Sequence, residues 1–167
     1  MLRAVNVGGT GRLKMDELRS LCTGLGFLNV KTYIASGNVV FQGQQAPESI
    51  KRRLETELAS HTGREIPVVV RTESELREAM LENPFRNKPP NKTLITFLDS
   101  PAPADAIDSI RNRADEDIHI GCREIFVHYG EGISNSKLRI PAAEAGTARN
   151  LNTVNRLADM AAALSGG

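Results

Sequence analysis

The chain has no tryptophan, and aromatic residues make up only 4% of it. Its core therefore has to be built from Leu, Ile, Val and Ala, and few rings are left over to stack on the bases of a nucleic acid. Cysteine is nearly absent. Cys22 and Cys122 stand far apart with no C-x-x-C pair, which excludes a disulfide framework. Cys22 falls on the apolar stripe of a helix and reads as a small buried hydrophobe. His61, His119 and His128 are scattered, and none has metal-ligand spacing to another His, a Cys or a carboxylate. The sequence calls for no metal and no cofactor, and no catalytic triad can be assembled from its spacings. No stretch approaches the ~18 consecutive apolar residues of a bilayer-spanning helix. Nor does the start read as a signal peptide, because Arg3 and Asn6 interrupt it and Gly8-Gly9 follow at once. A cytoplasmic protein without a membrane partner is expected. Net charge is also small, at +1, so no whole-molecule attraction to a polyelectrolyte follows.

What remains is ordinary globular composition, 40% apolar and 25% charged in 167 residues, enough for one ordinary domain or two small ones. The charge is uneven. Residues 1–53 hold eight basic side chains against three acidic, whereas the rest hold thirteen against seventeen. A basic first third could draw an anion or nucleic acid; it could equally be a solvated helix face.

Periodicity gives an α+β chain. Leu2 to Val7 reads as a strand, and Met15, Leu18, Leu21, Cys22 and Leu25 as one helix face. Val30 to Ile34 and Val39 to Phe41 flank a hairpin-type Ser36-Gly37-Asn38 turn. Pro47 opens a helix carrying Ile50, Leu54 and Leu58, and Ile66 to Val70 is a further strand. Thr72 to Glu75 form a capping box for a short helix that ends at Asn83-Pro84. Beyond a proline-rich linker at 84–92 the order recurs: strand Thr93 to Leu98, helix Ala104 to Ala114, strands Asp117 to Ile120 and Glu124 to Tyr129, and a last helix from about Leu151 to Leu164 capped by Thr147 or Asn150. The expectation is two ferredoxin-like halves packed together, β-α-β-β-α-β plus a short helix over 1–83 and β-α-β-β-α over 93–167. The duplication rests on element order alone, without a residue-level repeat.

Four segments hold more Gly, Asn, Ser and basic residues than turns need: Arg3 to Gly9, Ser36 to Asn38, Ser136 to Leu138, and Gly146 to Val154. Gly8-Gly9, between a strand and a helix, could bring backbone N–H groups close to a phosphate. It is neither a Walker A loop nor a dinucleotide fingerprint, and a plain strand-to-helix turn would look the same. Arg149, Asn150, Asn152 and Thr153 cluster at a helix start, where free N–H groups and an Arg fork suit an anion and where capping also uses such residues. Ser136-Lys137 is not a nucleophile pair, because neighbours on a strand face opposite sides.

At these segments the chain resembles a bacterial family catalogued as domain of unknown function 1697. That family opens like Leu-Leu-Arg-Gly-Ile-Asn-Val-Gly-Gly and continues with a Lys-x-Met helix start and Thr-Tyr-Ile-x-Ser-Gly-Asn-Val-Val-Phe. Later it carries Ser-Lys-Leu and Gly-Thr-x-Arg-Asn-Trp-Asn-Thr-Val. Here these read as Met1 to Gly9, Lys14-Met15, Thr32 to Phe41, Ser136 to Leu138 and Gly146 to Val154. The resemblance implies two related α+β subdomains, and no activity, substrate or catalytic residue comes with it. It nominates Arg3, Asn6, Gly8, Gly9, Lys14, Ser36, Gly37, Asn38, Ser136, Lys137, Arg149, Asn150, Asn152 and Thr153 as one patch. Three departures stand out. Ala4 replaces a usual Gly, Leu151 replaces a usual Trp, and the chain begins several residues late, which implies a shortened first strand.

Three readings stand. The patch between the halves binds a small anionic or phosphorylated ligand; or the chain is a nucleic-acid-binding module, which near-zero charge and few rings count against; or it is a non-catalytic interaction protein whose motifs are structural. Burial decides the last, since Arg149 and Asn38 buried and internally paired would favour it. Sequence names neither a reaction nor an oligomeric state.

Overall fold

A computed structural model describes residues 1–6 and 13–165. Within them the chain is a mixed α+β protein with four α-helices and two antiparallel sheets. It forms two compact units, Met1–Ser74 with Leu157–Gly167, and Glu75–Arg156. The division falls inside the third helix and again inside the last. The stretch 84–92, expected to join two subdomains, lies within unit 2.

Unit 1 holds α1 (Met15–Gly24), the hairpin β1 (Leu28–Tyr33) and β2 (Asn38–Gln42), and α2 (Pro47–Thr62). The helical faces are those the sequence spells. Leu18 and Cys22 of α1, and Ile50, Leu54 and Leu58 of α2, are buried in one cluster with Leu2, Phe27 and Val68. Pro47 opens α2 where its missing N–H costs nothing. The expected strands at Leu2–Val7 and Ile66–Val70 shrink to a single antiparallel bridge between Leu2 and Val68. Two causes are visible. Pro67 has no N–H to give a ladder, so only its carbonyl takes part, accepting the Arg3 N–H at 2.9 Å. Ala4 then turns into the left-handed region at φ 49 and ends the extended run. Val7 lies outside the described residues.

The third helix, α3 (Glu73–Glu82), starts directly after Thr72 as the capping box predicts. In unit 2 the strands β3 (Thr93–Phe97), β4 (Asp117–Ile120), β5 (Glu124–His128) and β6 (Thr147–Asn150) make one sheet in the order β4-β5-β3-β6, every pair antiparallel. That order is the one a split β-α-β arrangement produces. One of the helices expected with it is missing, so ferredoxin-like halves are not established. Residues 104–109 form turns instead of the helix expected over 104–114. Asp105 O accepts the N–H groups of Asp108 and Ser109, and Ser109 Oγ donates to Ala106 O. Ser109 thus places its hydroxyl on a backbone carbonyl of the segment, and Ile107, 58% exposed, supplies no buried face to hold a helix.

Strand β6 was not expected, because 147–150 reads as a helix cap. It pairs with β3 through Phe97–Thr147 to Leu94–Asn150 and leads directly into α4 (Leu151–Ser165). One face of the sheet, with Ile125 and Val127, packs with Leu98 and Ile140.

Candidate functional site

The nominated residues fall into both units. In unit 1 they gather around the β1–β2 turn. Asn38 is fully buried, and its Nδ2 donates to Tyr33 O at 3.0 Å and to Ser36 Oγ at 2.9 Å. Asn6 Nδ2 donates to Ala35 O at 2.6 Å and to Leu13 O at 3.1 Å, tying both ends of the 7–12 segment to the turn. The Leu2 N–H donates to Gly37 O at 2.8 Å. Gly37, at φ 83, is pressed so close that a Cβ there would lie 2.6 Å from Val5 Cγ1 and 2.9 Å from Leu2 Cβ. Two carbonyls of the turn are thus held from outside it and a third by Asn38, and the turn keeps Ile34 left-handed at φ 50 with its side chain 48% exposed. A β-branched residue adopts that conformation only when its surroundings impose it.

Arg3 is half-buried, and Lys14 is exposed at the start of α1. Gly8 and Gly9 lie outside the described residues. The α1 start is already served by protein groups. Glu17 Oε2 accepts the Lys14 N–H at 2.9 Å, and Asp16 and Glu17 place negative charge in the first turn. Among the described residues, the buried Asn6 Oδ1 has no hydrogen-bond partner.

In unit 2 Ser136 donates a short hydrogen bond to Glu116 Oε1 and accepts the Leu138 N–H at 3.1 Å. Glu116, which sequence reading passed over, is 2% exposed. Burial alone would raise its carboxyl. The hydrogen bonds from Ser136 and the Ala114 N–H, with Arg113 nearby, outweigh that and hold it below the usual glutamate range. No local signal marked it, since its partner lies twenty residues on. Lys137 is exposed. Arg149 sits on β6 opposite Ile95, 9% exposed, with Nη1 donating to Ala148 O at 2.8 Å. Burial pulls its guanidinium down to about 10. Asn150 Oδ1 accepts the Thr153 N–H at 2.9 Å, an N-cap for α4. Thr153 is buried and Asn152 exposed.

The described motif residues thus close the β1–β2 turn, fasten Ser136 to Glu116, and form β6 with the cap of α4. A family described as "Protein of unknown function (DUF1697)" matches residues 1–126. The chain belongs to that family. Among solved structures it is similar to the conserved bacterial protein SP0830 from Streptococcus pneumoniae, 26% identical over 96% of each chain with a TM-score of 0.74. No curated protein matches it. The family's usual glycine at position 4 acquires a reason here, because φ 49 is a conformation glycine adopts without strain and Ala4 does not.

Among the described residues no group of three or more His, Cys, Asp and Glu could hold a metal. No helix is long and apolar enough to cross a membrane. Burial pushes the Cys22 thiol up to about 11, so it stays protonated.

Proposed function

We propose that this protein is a non-catalytic interaction module whose shared motif residues build its turns and helix starts. The observation that carries this is Asn38: fully buried, it gives its amide to Tyr33 O and Ser36 Oγ and has none to offer a ligand. Ser136 on Glu116, Asn150 on the Thr153 N–H and the burial of Arg149 support the same reading.

Binding of a small anionic or phosphorylated ligand at the patch draws less support. The α4 start is capped by Asn150, and at the α1 start Asp16 and Glu17 already place two carboxylates that oppose an anion. Beside α1, the buried atom lacking a partner among the described residues is Asn6 Oδ1, an acceptor that an anion cannot satisfy. A nucleic-acid platform is weaker still. Of the strand-borne or strand-flanking rings, Phe126 is buried, Phe41 stacks on Phe27 at 4.2 Å, and Tyr33 and Tyr129 are half-buried.

The test is Asn38→Ala. Loss of two hydrogen bonds at a buried site is expected to cost about 2–3 kcal/mol in urea unfolding, with no loss of any ligand found by thermal shift against a phosphate-metabolite panel. A variant that unfolds like the wild type and loses a panel ligand would reverse the assignment.

A further inference from the structure

A groove of about 470 Å³ runs between α1 and α2 of unit 1. It is within the size range, roughly 300–1,000 Å³, of clefts that hold ligands. Its floor is apolar: Leu21 and Leu25 are half-buried and pack against the unit 1 core. Its rim is acidic, with Asp16, Glu17 and Glu57. Of the neighbouring basic groups, Arg19 is taken by the rim's own Asp16 and Arg53 is engaged away from it, while His61 also lines the groove and leaves Glu17 and Glu57 as the carboxylates a partner would meet. Arg19 pairs with Asp16 at 2.8 Å, and Arg53 donates to Leu25 O and Gln45 Oε1 with its guanidinium 5.7 Å from the Phe27 ring centroid. Glu57 stands in no ion pair among the described residues. Gly24 borders the groove, and a Cβ there would meet only open space.

Resting on the interaction reading above, we infer that this groove docks a basic segment of another protein chain. Leucine-type side chains lie on Leu21 and Leu25 while lysine or arginine heads reach Glu17 and Glu57. An apolar floor supplies the desolvated area that binding needs, and the carboxylate rim sets the sign of the partner and the encounter rate. A groove with such a floor does not suit a naked polycation, which would leave Leu21 and Leu25 unmet.

The probe is the acetylated, amidated peptide Lys-Leu-Arg-Leu-Lys, titrated into the ¹⁵N-labelled full chain. Spermine and Glu-Leu-Glu-Leu-Glu serve as comparisons. The expected result is movement of the Gly24 and Glu57 amides by the basic peptide, with affinity lowered about tenfold or more by Glu57→Lys and by Gly24→Phe. Gly24→Phe fills open space and exchanges a glycine for a better helix former, so it keeps the fold while closing the groove. Still groove amides, binding unchanged by both variants, or spermine or the acidic peptide binding as tightly as the basic one would each overturn the proposal. Such a failure is distinguishable from failure of the motif reading, which is judged by Asn38→Ala and does not depend on the peptide.

Discussion

Gly37 is where the family motif becomes legible as physics. A residue with a side chain there would have to adopt φ 83 and place its Cβ 2.6 Å from Val5 Cγ1. Left-handed strain and overpacking add, so Gly37→Ala is expected to cost roughly 3 kcal/mol by chemical denaturation. A loss under about 0.5 kcal/mol would mean that Val5 and Leu2 yield, as well-packed groups rarely do. Ala4 is the converse case. It occupies φ 49 with its side chain exposed, so Ala4→Gly removes strain and no packing. A gain of about 0.5–1 kcal/mol in the same assay is expected, against the usual loss when glycine loosens the unfolded chain. Sequence nominated Gly37 and singled out position 4. At position 4 the operative cause is the backbone angle.

At the scale of elements, periodic helices were readable and short polar segments were not. Leu18 with Cys22, and Ile50 with Leu54 and Leu58, carry enough buried area to fix α1 and α2 from pattern alone. The 104–114 segment had an apolar pair at helical spacing, but Ile107 is exposed, so the pair buries too little to hold a helix. Strand β6 was hidden because Thr147 and Asn150 both look like caps; only Asn150 is one, and the Thr147–Arg149 alternation was the missed signal. Gly146 precedes it for want of room, since a Cβ would meet Thr96 Cγ2 at 2.6 Å and Phe97 O at 2.8 Å. The loop before β6 is fastened by Ser136 on Glu116, a bond between elements that no local pattern announces. Glu116 has a depressed folded-state value, so its contribution is complete above the unfolded value and is lost as pH falls through the folded one. Ser136→Ala is therefore expected to cost about 2 kcal/mol near neutral pH, the worth of a hydrogen bond to a charged acceptor, and much less once the carboxyl is protonated. Urea midpoints of both proteins from pH 7 down to pH 3 would check this. A cost that did not shrink in acid would place the role of Ser136 in its bond to the Leu138 N–H.

For the whole molecule, composition placed the seam at the prolines of 84–92, yet unit 1 is discontinuous and reclaims Leu157–Gly167. Proline marks a surface segment; it does not record which core a chain returns to, and a stripe of Leu and Ala on a final helix fits either unit equally well. The consequence is testable by deletion. Leu157, Ala158 and Leu164 are buried, and Leu164 O accepts Gln42 Nε2 at 2.6 Å, fastening the end of the chain to β2. Burial of a leucine is worth about 1.5–3 kcal/mol, so ending the chain at Arg156 removes several kcal/mol from unit 1, comparable with what holds a small unit folded. Unit 1 amides, read at Val39 and Leu54, are expected to lose hydrogen-exchange protection in that truncated chain, while Ile125 and Val127 of unit 2 are expected to keep theirs. Retained protection at Val39 and Leu54 would show instead that Leu2, Leu18, Leu54 and Val68 suffice for the first core. The final helix would then be dispensable to unit 1, in keeping with its expected place in the 93–167 half.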